Sequence, residues 1–102
     1  MTDLVDAPIV AVDGRQVLVD GVLAGTTRDV EAFGRVETLS PLLAMLRAKR
    51  DLWRAVQPGR PHPGTCILQI DVATEALVVK SVFQTAAAAG FPHVSFLVRR
   101  DP

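Results

Sequence analysis

Residues 65–99, TCILQIDVATEALVVKSVFQTAAAAGFPHVSFLVR, decide the architecture, because their hydrophobic period changes from 2 to 3.6 and back. In the first seven residues Cys66, Leu68 and Ile70 fall on one side of an extended chain, and Thr65, Ile67, Gln69 and Asp71 on the other. That alternation predicts a strand with unlike faces. Thr74 and Glu75 then open a helix, with Thr74 as N-cap and Glu75 favoured by the positive end of the dipole. Val78, Val79, Val82, Phe83, Ala86 and Ala89 form its apolar face. Gly90 occupies the C-cap position and Phe91-Pro92 stops the helix. Residues 93–99 return to alternation, with Val94, Phe96 and Val98 inward and Ser95, Leu97 and Arg99 outward. A strand–helix–strand unit predicts a parallel pair joined by a right-handed crossover.

Upstream, residues 57–64 carry Pro58, Pro61, Pro63, Gly59 and Gly64 and must be a loop. Before them Ser40-Pro41 opens a helix, with Ser40 as N-cap and Pro41 in the first turn. Its apolar face takes in Leu42, Met45, Leu46, Leu52, Trp53 and Val56; Arg47, Arg50, Asp51 and Arg54 face away. The arginine stripe reads as a solvated face, since the net charge is zero. Lys49 projects into the apolar face, where it either snorkels at the sheet rim or pairs with a carboxylate such as Asp71. Trp53 is either core or an interface anchor. Residues 24–38 show no clear period and read as a loop holding at most a short strand. The first element is a hairpin: residues 9–12 and 16–19 flank Asp13-Gly14-Arg15, and Asp20-Gly21 ends the second strand.

The expected order is β-β-α-β-α-β, an α+β two-layer sandwich with a mixed sheet and two helices on one face. All 102 residues belong to one domain, residues 1–8 being an N-terminal linker. The uncovered sheet face would show Ile67, Leu97 and Leu18, a modest apolar patch of the kind that marks a partner surface.

Composition narrows the functional classes. The chain is 49% hydrophobic and 22% charged, with eleven basic and eleven acidic residues. That excludes a disordered chain and leaves no electrostatic footprint for nucleic acid. One cysteine excludes an internal disulfide, and no apolar stretch approaches the ~18 residues of a membrane span. Cys66 with His62, His93 and Asp71 has the residue types of a nucleophile, base and orienter, but a cysteine on the inward side of a strand is first a small core residue. Two histidines without clustered carboxylates give no metal set, and no strand–GxGxxG–helix string cradles a phosphate. No residue is assigned as catalytic, cofactor-binding or metal-binding, and the expectation is a protein that is not an enzyme.

Three strings, taken in order, resemble the periplasmic domain of the ExbD/TolR family. Residues 9–21 are similar to its opening strand, Asp-Gly, strand hairpin. Ile67-Leu68-Gln69-Ile70-Asp71 resembles the strand that ends in a recurrent Asp. Val78-Val79-Lys80-Ser81-Val82, with residues 86–98, resembles the helix, its Ala-Gly-Phe stop and the last strand. Val72-Ala73-Thr74-Glu75-Ala76 departs from the Pro-aromatic pair that usually follows the recurrent Asp.

The resemblance implies a homodimeric, non-catalytic domain without cofactors, from a single-pass inner-membrane protein whose span is absent from these residues. Its partners would be an ExbB/TolQ-like proton-channel subunit, with a TonB- or TolA-like protein and peptidoglycan as further candidates, and its work would be driven by proton-motive force. Ile67, Leu97 and Leu18 are the expected partner or dimer contacts, with Asp71 at the strand–helix junction. The alternative expectation is a free-standing cytoplasmic α/β module that binds a ligand or regulates a partner.

Overall fold

Two-residue turns build the antiparallel half of the sheet. The computed structural model describes residues 7–100. Strand β1 (Ile9–Asp13) turns through Gly14-Arg15 into β2 (Gln16–Val19), with Gly14 at φ +61°. Positive φ at the first turn residue alone is the II′ signature, which needs glycine there. Asp20-Gly21 then turns β2 into β3 (Val22–Thr26), with φ +50° and +84°, positive at both residues as in a I′ turn. Most of β3 lies in the stretch expected to be a loop. Thr27 leads into a one-and-a-half-turn helix, α1 (Arg28–Phe33), and Thr27 Oγ1 donates to Glu31 Oε2 at 2.9 Å.

The remaining elements are α2 (Ser40–Val56), β4 (Thr65–Asp71), α3 (Ala76–Ala88) and β5 (His93–Arg99). The sheet order is β3-β2-β1-β4-β5, with β1–β4 and β4–β5 parallel and the other two pairs antiparallel. The fold is the expected α+β two-layer sandwich around a mixed sheet, with a third strand in the first half and a third, short helix. Ile67 N–H donates to Pro8 O at 2.9 Å, so the parallel ladder starts one residue before β1. The expected linker therefore gives way to the sheet at Pro8, and its residues 1–6 lie outside the described residues.

The core lies between the sheet and the helices. Val10, Val12, Val17, Val19, Cys66 and Leu68 rise from the strands to meet Leu42, Leu46, Val82, Ala86 and Phe91. On α2 the buried residues are Leu42, Leu46 and Trp53, while Leu52 and Val56 are 68% and 67% exposed. The expected apolar face was thus displaced: the helix is rolled toward the flank of Leu43 and Arg50, both half-buried. Arg50 explains the roll. Its Nη1 donates to Ala89 O at 3.3 Å at the C-terminus of α3. Gly90, at φ +98°, leaves the space; a Cβ there would lie 2.8 Å from Arg50 Cδ.

Two hydroxyls of α3 hold the connection between α1 and α2. Ser81 Oγ donates to Leu77 O at 2.7 Å and accepts Glu37 N–H at 3.0 Å; Thr85 Oγ1 donates to Ser81 O at 2.7 Å and accepts Leu39 N–H at 3.0 Å. Both residues are fully buried. Each hydroxyl satisfies its donor within its own helix and lends a lone pair to the incoming strap. Both long helices start differently from expectation. Leu39, held by Thr85, stands at the N-cap of α2 in place of Ser40. Asp71 Oδ1 and O accept Ala73 N–H and Thr74 N–H at 2.9 Å each, and this turn delays α3 so that Glu75 replaces Thr74 as its N-cap.

Thr85→Val keeps the shape of the side chain but leaves Leu39 N–H buried without an acceptor. It should cost about 1–3 kcal/mol, read as a lower urea midpoint with an unchanged slope.

A candidate interaction surface on the open sheet

All three helices cover one face of the sheet, and the strand registers define the other. Leu23 pairs with Leu18, Leu18 with Ala11, Ala11 with Gln69, and Gln69 with Leu97. These residues make one row across all five strands, interrupted in its apolar character by Gln69 alone. A second row runs Ile9, Ile67, Ser95. Ile9, Leu23 and Leu97 are exposed, and Leu18, Ala11 and Ile67 are half-buried. The expected contacts Ile67, Leu97 and Leu18 thus lie on one uncovered surface, with Ile9, Ala11 and Leu23 added to them.

Asp71 lies on the same face at its polar end. The register sets it opposite Arg99. The surface is therefore graded, apolar where β1 and β4 begin and charged where they finish.

The last strand departs from the expected burial. Val94, Phe96 and Val98 do face the helix side, in register with Cys66, Leu68 and Ile70. Yet Phe96 and Val98 are each 50% exposed, and Leu97 on the other face is 52% exposed. β5 is the edge of the sheet, where Phe83 of α3 stacks its ring on Phe96 at 6.2 Å. An edge strand has neighbours on one side only, which alternation in sequence does not report.

The residues of the supposed nucleophilic set do not converge. Cys66 is buried among core side chains on the helix side, whereas Asp71 and His93 belong to the opposite face of the sheet, and Asp71 lies at the far end of the strand from Cys66. His62 packs edge-on against Trp53 and Phe91, at 5.1 and 5.0 Å, and its Nδ1 accepts Gly64 N–H. Burial pushes the Cys66 thiol up to about 11. A thiol so placed is neutral near pH 7 and a poor nucleophile. No group of three or more His, Cys, Asp or Glu side chains among the described residues is arranged to hold a metal ion.

Lys49 pairs with Asp20, at 2.7 Å, in place of the carboxylate suggested by sequence. Asp20 Oδ1 also accepts Ile9 N–H at 2.9 Å. Burial alone would raise the Asp20 carboxyl, but the Ile9 N–H and the Lys49 ammonium outweigh it and hold it below its ordinary value of 3.8. Beside this pair, Leu52, Trp53, Val56, Pro8 and Phe91 line a notch of about 270 Å³. Trp53 Nε1 is buried there with no acceptor among the described residues.

Two measurements follow from these placements. Cys66 should resist thiol reagents in the folded chain and react on unfolding; labelling at the rate of a free thiol would restore the nucleophilic reading. Since its folded value lies above the 9.0 of an exposed thiol, stability should also fall as pH rises from about 9 to 11. Asp20 has the opposite sign: its depressed value adds stability above about pH 3.8 that is lost as pH falls through the lower folded value. Asp20→Asn should therefore be less stable than the parent at pH 7, with the difference shrinking below pH 4. No family model matches the chain, and no curated protein or solved structure matches it.

Proposed function

We propose that this chain is a non-catalytic periplasmic domain of an ExbD/TolR-like subunit, part of an inner-membrane motor that turns proton-motive force into work on transport or on the envelope. The observation that carries the reading is an uncovered sheet face with an apolar row across five strands. A protein that works by assembly needs such a surface, and apolar patches rimmed by polar residues often mark partner surfaces. The strings that resemble the family also have physical jobs here. Residues 9–21 form the hairpin that starts the sheet, Asp71 ends the central strand in a turn, and Gly90 is required where α3 stops. In this reading the domain is homodimeric and meets an ExbB/TolQ-like channel subunit, a TonB- or TolA-like protein, or peptidoglycan through the open face. No helix among the described residues is long and apolar enough to cross a membrane. The proton step would belong to a span outside them.

The test begins with the gene. An in-frame stretch of about 20 apolar residues carrying one acidic side chain should precede this chain, and the full protein should co-purify with a channel subunit encoded nearby. A gene without such a span would sink the reading.

A second reading, a free-standing cytoplasmic α/β module that binds a ligand, is favoured by the notch at Trp53 and its unpartnered Nε1. Under that reading a small-molecule panel would change Trp53 fluorescence and raise the melting temperature, and Leu52→Asp would abolish both effects.

A further inference from the structure

We infer that the C-terminal end of α2 docks on an anionic bilayer, with Leu52 and Val56 entering the headgroup boundary and Arg54 and Arg60 meeting lipid phosphates. The inference rests on the membrane-anchored part of the reading above and gives that anchor a second contact. α2 runs along the sheet from Pro41, which faces Gly25, to Lys49, which closes on Asp20 just past the end of β2. The seven residues that follow, to Val56, rise about 10 Å further. Trp53 turns inward there, onto His62. Leu52 and Val56, one turn apart, are the two most exposed large apolar side chains among the described residues.

The charge at this end has one sign. Residues 49–60 carry four cationic side chains and a single carboxylate, although the whole chain is neutral. Lys49 is paired with Asp20 and Arg50 with Asp51. Arg54 is exposed and makes no ion pair among the described residues. Arg60, also exposed, donates from Nη1 to Gln57 Oε1 at 3.1 Å and holds its guanidinium over the Trp53 ring, 5.9 Å from its centroid. Cations near the end of α2 suit the helix dipole, but that leaves the exposed Leu52 and Val56 without a role. Aliphatic side chains flanked by arginines on long stems suit a bilayer surface, where the stems keep the charge at phosphate level while the branched groups go deeper. A bilayer is favoured over an acidic protein because of where the chain enters the fold. Ala7 and Pro8 line the same notch as Leu52 and Val56. A membrane span upstream would therefore hold this end of the domain nearest the lipid and leave the β5 edge free.

The test is flotation of the 102-residue chain with vesicles of phosphatidylethanolamine and phosphatidylglycerol, against vesicles of phosphatidylcholine alone. The chain should float with the anionic vesicles, be released by high salt, and ignore the neutral ones. Arg54→Glu with Arg60→Glu should weaken binding at least about tenfold, since each cation near an anionic surface is worth about fivefold. All the altered side chains are exposed, so circular dichroism and melting should stay those of the parent. To locate the contact, Leu52→Cys in a Cys66→Ala background carries an environment-sensitive dye, whose emission should shift to the blue on anionic vesicles. The same dye at Leu97→Cys should not respond. A chain that leaves anionic vesicles unbound at millimolar lipid would overturn the inference. So would binding that the double arginine variant retains, or a dye response at Leu97 and not at Leu52, which would put the lipid on the open face. These results do not depend on what the gene encodes upstream. A chain that ignores vesicles leaves the motor reading standing, and a gene without a span leaves the vesicle binding standing as a peripheral contact.

Discussion

The short parallel seam between β1 and β4 joins two halves that would otherwise be separate motifs. On one side stands an antiparallel meander held by two-residue turns; on the other, a strand–helix–strand unit. Only Ile9, Val10 and Ala11 pair across it with Ile67, Leu68 and Gln69, extended by the bond from Ile67 N–H to Pro8 O. Such a brief ladder needs support on both sides of its plane. Val10 and Leu68 provide it from within, both buried under the helices. Asp20 provides it at the end, since its backbone N–H bonds Ile9 O, its carboxylate accepts Ile9 N–H, and Lys49 of α2 closes over it. Asp20 reaches this position because it adopts a left-handed conformation, which aspartate tolerates better than most residues.

Placing every helix on one side of the sheet has two consequences. The covered side is a well-satisfied core in which even the strap between α1 and α2 finds acceptors, on Ser81 and Thr85. The other side is left with a row of apolar residues from β3 to β5. Parallel strands are usually buried on both faces, because crossover helices cover them. Here the parallel strands β1, β4 and β5 are covered on one face only, so the open face and the β5 edge are the parts of the molecule that a partner can complete.

The residue types of a nucleophilic set are kept apart by this geometry. The one thiol is buried on the side of the sheet opposite Asp71 and His93, and the two histidines sit in different settings. What is exposed is the edge of β5, with branched and aromatic side chains along it. Asp71, which the family resemblance singles out, has a structural task of its own, as the acceptor that turns β4 toward α3.

Much of the architecture was legible in the sequence because local chemistry and hydrophobic period point the same way. The alternation of residues 65–71, the helical spacing from Val78 to Ala89 and the stop near Gly90 are short-range signals; the strand and the helix both formed, the helix with Glu75 in place of Thr74 at its N-cap and Ala89 in place of Gly90 at its C-cap. Asp20-Gly21 also carried a signal for β3, since it is a turn dipeptide between β-branched runs; reading it as the end of a strand hid the second hairpin. Other features belonged to tertiary structure alone. Ser81 and Thr85 look unremarkable in a helix, and only the approach of the 34–39 strap makes them acceptors. The roll of α2 was set by Arg50 reaching the end of α3, which left Leu52 and Val56 in the open. Phe96 and Val98 face inward by period but remain half-exposed because β5 ends the sheet. A side chain's face follows from the repeat of its own backbone; its burial and partners depend on which distant segments arrive to cover it, and that is decided only when the chain has packed.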